Sequence, residues 1–300
     1  MDGKQLRTQY KEHLSDFNNW NQKEHAEDFI LYPKNIGYHL CIDETALSKG
    51  ELYTILTNRD KHGRKCTIVA IVKGTKAEDV INVLLKIDAD KRNQVKEITL
   101  DMAGSMQKIA KRCFPGAMQV VDRFHVSKLV YEAVQDLRIA YRWQVMKDEN
   151  RKIKEAKAKG ESYEPKVFGN GDTLRQLLAR SRYLLFKAPD KWLQSQKVRA
   201  KLLFEQFPDI KSVYYYALRL GKIFSDYTDK DVARAKLALW YNEIEEFGYD
   251  TFTTVANSIE NHYERILNYF VNRSTNAAAE AFNAKIKAFR ASFRGVVDKR

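Results

Sequence analysis

The spacing of apolar residues changes character twice along this chain. Residues 1–36 are polar, rich in Asn, Gln, Glu and Lys with scattered aromatics (Phe17, Trp20, Phe29, Tyr32), and read as a short helical or irregular lead-in. From Gly37 onward, runs rich in β-branched residues at 38–43, 51–57 and 65–72 predict strands. The turn signals Ser48-Lys49-Gly50 and Lys61-His62-Gly63 between them predict a meander of three antiparallel strands. Val80, Leu84 and Ile87 recur at helical spacing and predict a helix over 77–87. A strand follows at 95–101, then a helix over about 105–113 that stops before Pro115-Gly116. A short strand at 118–121 then runs into Asp122-Arg123-Phe124-His125.

The predicted order is β-β-β-α-β-α-β, which places the chain in the α/β class with a ribonuclease H-like mixed sheet. From about 126 to 272 the period is almost wholly helical. Residues 126–146 are apolar on one face and basic on the other, with Arg138, Arg142 and Lys147. A charge run at 151–159 and a loop at 163–171 follow, then helices at roughly 173–187, 190–206, 209–225 and 229–246. No internal repeat or low-complexity linker interrupts them. The division this predicts is a lead-in at 1–36, the first part of a ribonuclease H-like core at 37–126, a large all-helical insertion at 127–272, and the last core helix at 273–300.

Composition narrows the partners. Lys and Arg number 52 against 39 Asp and Glu, a formal charge of +13, and with 44% hydrophobic residues the 300-residue chain can bury a sizeable core. An excess of this size favours a polyanion such as nucleic acid, although a merely basic soluble protein would share it. Cys41, Cys66 and Cys113 lack CxxC spacing, which argues against a disulfide framework and a zinc module and suits a reducing cytoplasm. The N-terminus has no apolar signal region, and no apolar run reaches about 18 residues, so a cytoplasmic protein without a membrane partner is expected.

Three acidic residues then stand out. Asp43 closes the run 38–43, Asp101 closes 95–101, and Glu280 lies in the helical stretch 274–287. Two strand-end aspartates and a helix glutamate are hard oxygen donors able to hold two Mg²⁺ ions at a phosphodiester. Each aspartate alone reads equally well as a solvated turn carboxylate. Asn276, Glu280, Asn283 and Lys287 fall at i, i+4, i+7 and i+11, one face of a helix, and Arg290 and Arg294 extend that face for DNA phosphates. An ordinary capped amphipathic helix would show part of this pattern. Asp122 also follows a strand, three residues before His125; the pair are alternative ligands or supporting groups around the site. Trp143 and Trp192 are candidates for stacking on an unpaired base, against a bland reading as core.

With these residues in view, 42–47, 100–105, 121–126 and 274–287 resemble the four motifs of the DDE transposases of the ISL-three insertion-sequence family, most closely the ISAon-one type. The resemblance implies a bacterial transposase that cuts transposon ends and transfers the strand into target DNA with two Mg²⁺ ions, for which Mn²⁺ can substitute. It carries Asp43, Asp101 and Glu280 over as the triad, with Asp122 and His125 as a conspicuous accompanying pair. It further implies double-stranded DNA as partner, a homodimer in the DNA complex and nucleoid association. The family's usual N-terminal zinc-binding and helix-turn-helix segment has no counterpart motif here, which points to a separate N-terminal DNA-binding polypeptide. Two alternatives stay open: a non-catalytic DNA-binding transposon remnant, and a ribonuclease H-like nuclease without strand transfer.

Overall fold

The computed structural model describes residues 2–46, 51–248, 250–274, 283–288 and 291. Its strands are β1 (Phe29–Leu31), β2 (His39–Ala46), β3 (Leu52–Asn58), β4 (Ile68–Lys73), β5 (Glu97–Leu100) and β6 (Met118–Val121). They form one mixed sheet in the order β1-β4-β3-β2-β5-β6. Strands β2, β3 and β4 pair antiparallel, with β1 antiparallel on the outer edge of β4. On the other side of β2 the sheet turns parallel, β2 to β5 and β5 to β6.

The lead-in departs from expectation. It holds α1 (Gly3–Gln9), capped by the Asp2 side chain, which accepts from the Gln5 N–H at 2.8 Å. Beyond that helix it supplies the edge strand β1, where a helical or irregular segment was expected. Three residues are too few to display an alternating pattern; pairing makes this strand, through Phe29↔Val72 to Leu31↔Ala70. Strand β4 starts at Ile68 rather than 65, because the chain is still turning there. His62 and Cys66 both have positive φ, and the Thr67 hydroxyl donates to the Arg64 carbonyl at 2.6 Å.

Between the strands run α2 (Ala77–Leu84), α3 (Ala89–Asn93) and α4 (Gly104–Cys113). Helix α2 buries Val80, Ile81, Val83 and Leu84, and α4 buries Met106, Ile109, Ala110 and Cys113. Helix α2 packs against α4 and β4, and α4 against β5; Leu40, Ile42, Ile98 and Leu100 are fully buried in the same unit. That unit comprises residues 1–122 and 264–300, so both ends of the chain build it. Its later part holds α11 (Tyr263–Leu267), which begins at the unit's edge, and α12 (Tyr269–Asn272).

Residues 123–263 form a second, all-helical unit. It contains α5 (Arg123–Ala158), α6 (Leu174–Arg180), α7 (Gln194–Gln206), α8 (Pro208–Asp226), α9 (Lys230–Phe247) and α10 (Asp250–Asn261). Helix α5 runs unbroken for 36 residues through the charge run that follows residue 146. Arg151 pairs there with Asp148 and Glu155 at helical spacing, so exposed ion pairs extend the helix where no apolar face marks it. Half-buried Trp192 and Phe204 pack on the fully buried Tyr214, the three rings lying 5.5 to 6.3 Å apart. Asp172 is fully buried but receives Arg180, Arg199 and Asn170, so its charge is compensated.

Candidate active site

Strand register brings the candidate carboxylates together. The parallel ladder between β2 and β5 runs from His39↔Glu97 to Cys41↔Thr99, and two residues further along each strand stand Asp43 and Asp101. The ladder between β5 and β6 ends at Leu100↔Val121, and one residue further stand Asp101 and Asp122. The Asp122 N–H still donates to the Leu100 carbonyl at 3.1 Å. Neighbouring strands are roughly 4.8 Å apart, so the three aspartates form one row across the carboxyl ends of the parallel strands. Such ends are where open α/β sheets place their ligands. Asp43 lies inside β2 rather than closing it, since pairing with β3 continues to Ala46↔Leu52; only the β5 side opens at Asp43.

Alternation along a strand then sorts the faces. His39, Cys41 and Asp43 share one face of the sheet with Glu97, Thr99 and Asp101. The segment returning from the helical unit docks on this face. Asn268 donates to the Gln119 carbonyl at 2.9 Å, Asn272 to Glu97 Oε2 at 2.8 Å, and Asn283 to Asp43 Oδ2 at 2.7 Å. Between the last two, Arg59 forms a knot. Its Nη1 donates to Glu97 Oε1 at 2.5 Å and Thr99 Oγ1 at 2.6 Å, and its Nη2 to the Ser274 hydroxyl at 2.8 Å. Glu97 is 1% exposed; burial would raise its carboxyl, but hydrogen bonds from Asn272, Ser274 and Arg59 outweigh that and hold it below its usual range.

Both candidate aspartates are fixed by backbone. Asp43 Oδ1 accepts the Glu44 N–H at 2.8 Å, and Asp101 Oδ1 accepts the Ala103 N–H at 2.8 Å in an Asx turn. Negative charge accumulates here in an otherwise basic protein. Burial together with the charges of Asp101 and Asp43 raises the Glu44 carboxyl, and burial with Asp43 and Asp122 pushes the Cys41 thiol well up. Hard oxygen donors under mutual repulsion suit a divalent cation. Among the described residues, no group of three or more His, Cys, Asp or Glu side chains is disposed to hold a metal ion.

The structure thus brings Asp43 level with Asp101 and sets Asp122 beside Asp101, where Asp122 is 1% exposed and the other two are half-buried. His125 lies half-buried in the first turn of α5, its ring edge-on to Phe124 at 5.7 Å. Asn283 reaches Asp43 with 8% exposure, while Lys287 is exposed one turn on in the helical residues 283–288. Glu280, Asn276, Arg290 and Arg294 lie outside the described residues. Trp192 is half-buried, donating to the Leu184 carbonyl at 2.8 Å and stacked on Tyr214, whereas Trp143 is 60% exposed. The sequence reading missed Glu44, Arg59, Glu97, Asn272 and Ser274. The alternation Glu97, Thr99, Asp101 within an otherwise apolar strand was the available signal for a polar face.

No helix among the described residues is long and apolar enough to cross a membrane. Neither the curated proteins nor the solved structures contain a significant match to the chain. A family profile described as Transposase, that of the ISL-three DDE group, matches residues 40–299. That span covers most of the chain and takes in the aspartate row and the segment returning to it. By this match the chain belongs to the ISL-three family of transposases, enzymes that act on DNA.

Proposed function

We propose that the sheet unit is a ribonuclease H-like catalytic core in which Asp43, Asp101 and Glu280 carry the chemistry of DNA cleavage at transposon ends and strand transfer into target DNA. The observation that supports this best is the Asn283–Asp43 hydrogen bond, because it ties to the aspartate row a segment whose sequence holds Glu280 three residues earlier. Asp43, Asp101 and Glu280 would hold the Mg²⁺ ions, with Mn²⁺ able to replace them, and the ions when bound supply charge stabilisation to the phosphate in flight. The chain's own residues do the positioning. The Glu44 and Ala103 N–H groups fix the two aspartates, and Asn283 holds the outer oxygen of Asp43. Arg59 and Glu97 anchor residues 272–274, setting where the last segment begins. Lys287, Arg290 and Arg294, with Asn276, are assigned to backbone phosphates. Asp122, deeply buried beside Asp101, is assigned to support rather than ligation, and His125 to the surroundings of the site.

Strand transfer needs two transposon ends held together, so a homodimer on DNA belongs to this reading, as does a separate polypeptide that recognises the terminal repeats. Nicking of a duplex carrying the element's end should require Mg²⁺ and all three carboxylates, and a pre-cut end with a free 3′-hydroxyl should join to target DNA. Asp43→Asn or Glu280→Gln cleaving at near wild-type rate would sink the triad. Mg²⁺-dependent nicking without joining would leave a nuclease instead, and DNA binding without nicking a non-catalytic remnant.

A further inference from the structure

The helical unit holds a group of arginines, Arg138, Arg142 and Arg182, that form no ion pair with a carboxylate among the described residues. Arg138 and Arg142 stand one turn apart on α5, on the same face. Arg138 is 4% exposed, and its bonds go to neutral acceptors. Its Nε donates to Gln135 Oε1 at 2.8 Å and its Nη1 to the Leu178 carbonyl at 2.9 Å. The Gln135 amide in turn donates to the Arg182 carbonyl at 3.2 Å, which brings the residues following α6 to this turn of α5. Arg142 Nε is buried without a hydrogen-bond partner among the described residues. Arg182 is exposed, its guanidinium 5.4 Å from the centre of the Tyr183 ring, and opens the group to solvent.

Arginine stays protonated in proteins, so an ion pair is the usual way to bury it. Here burial and the like charges of Arg142 and Arg182 all bear on Arg138 in the same unfavourable direction. Asp172, by contrast, shows the same unit pairing a buried charge fully. The Leu178 carbonyl near the end of α6 accounts for one bond of Arg138 but for neither of the other arginines.

We propose that Arg138, Arg142 and Arg182 form a binding site for a phosphate group. Guanidinium forks match phosphate geometry, and an arriving dianion would supply the missing countercharge and a partner for Arg142 Nε. The phosphate belongs either to a DNA backbone, which rests on the function proposed above, or to a free phosphate, which does not.

The test uses the full chain and the double variant Arg142→Gln/Arg182→Gln, which leaves Arg138 and its two bonds in place. In wild type, inorganic phosphate should raise the thermal midpoint above that in chloride of equal ionic strength, and the double variant should lose this rise. Lys152→Gln/Lys154→Gln, which removes the same charge elsewhere on α5, should keep it. With a DNA duplex, the slope of log affinity against log salt should fall by about 0.9 in the double variant, as expected when one DNA phosphate is no longer neutralised. Loss of the phosphate effect with an unchanged DNA slope assigns the site to free phosphate. If both the phosphate effect and the DNA slope match wild type, there is no such site. Asp43→Asn, with cleavage abolished, should retain the phosphate effect, so failure of the active-site assignment reads out separately.

Discussion

One amide joins Asn283 to Asp43 across 240 positions of sequence. Asn283 can donate to a carboxylate without adding charge to a place that already gathers negative potential. Asn283→Ala therefore releases one oxygen of Asp43, and supporting groups of this kind typically affect metal affinity or activity by about 10–100-fold. The expected result is a rightward shift of that size in the Mg²⁺ dependence of nicking, with strand joining following it. Asn283→Asp sets a second carboxylate against Asp43 and should impair the protein further at low Mg²⁺. An unchanged Mg²⁺ titration in both variants would remove Asn283 from the site. At this scale the sequence placed Asp43 and Asp101 on strands expected to be neighbours, as they are, although Asp43 falls inside β2 and only the β5 side opens there. Arg59 was not legible, because its partners Glu97, Thr99 and Ser274 are 38, 40 and 215 residues away and only folding brings them together.

The same limit governs the elements. The meander and helices α2 and α4 were readable because each carries its own apolar period over several residues. Strand β1 has only Phe29, Ile30 and Leu31, and the later part of α5 has charges instead of an apolar face, so partner and context define both. What fixes α12 to β5 is polar, the Glu97 knot with Arg59, Asn272 and Ser274. Its carboxyl is depressed in the folded state relative to about 4.3 in an unfolded chain. The knot's charge contribution is then fully present above that value and is lost as pH falls through the depressed folded value. Wild type should lose thermal stability more steeply between pH about 5 and about 3 than Glu97→Gln, which has no proton to take up. Glu97→Ala, leaving Arg59 facing a buried void, should cost on the order of 3–5 kcal/mol at neutral pH. Parallel pH–stability curves for wild type and Glu97→Gln would contradict this account of the knot.

At the scale of the molecule, the sheet unit is discontinuous: residues 1–122 and 264–300 build it, while 123–263 form the helical unit from one continuous stretch. Among the described residues, Asn268, Asn272, Ser274 and Asn283, all from beyond residue 263, bond back to the strands or to Arg59 within the sheet unit. A chain ending at Tyr263 would keep all six strands yet lose those partners and the buried Ile266, Leu267, Tyr269 and Phe270. Each large apolar side chain removed from a core contributes about 1.5–3 kcal/mol. Four of them, with the Glu97 knot, are comparable to the whole stability of an ordinary domain, about 5–15 kcal/mol. The helical unit keeps its aromatic cluster and its Asp172 ion pairs within residues 123–263. Hydrogen exchange on the truncated chain should therefore show β2, β5 and β6 amides losing protection while those of α5 and α8 stay protected. Equal protection of β5 in the full and truncated chains would mean that the sheet unit does not depend on its C-terminal part. The catalytic reading would then lose its physical basis, because it needs that part held against the aspartate row by the fold itself.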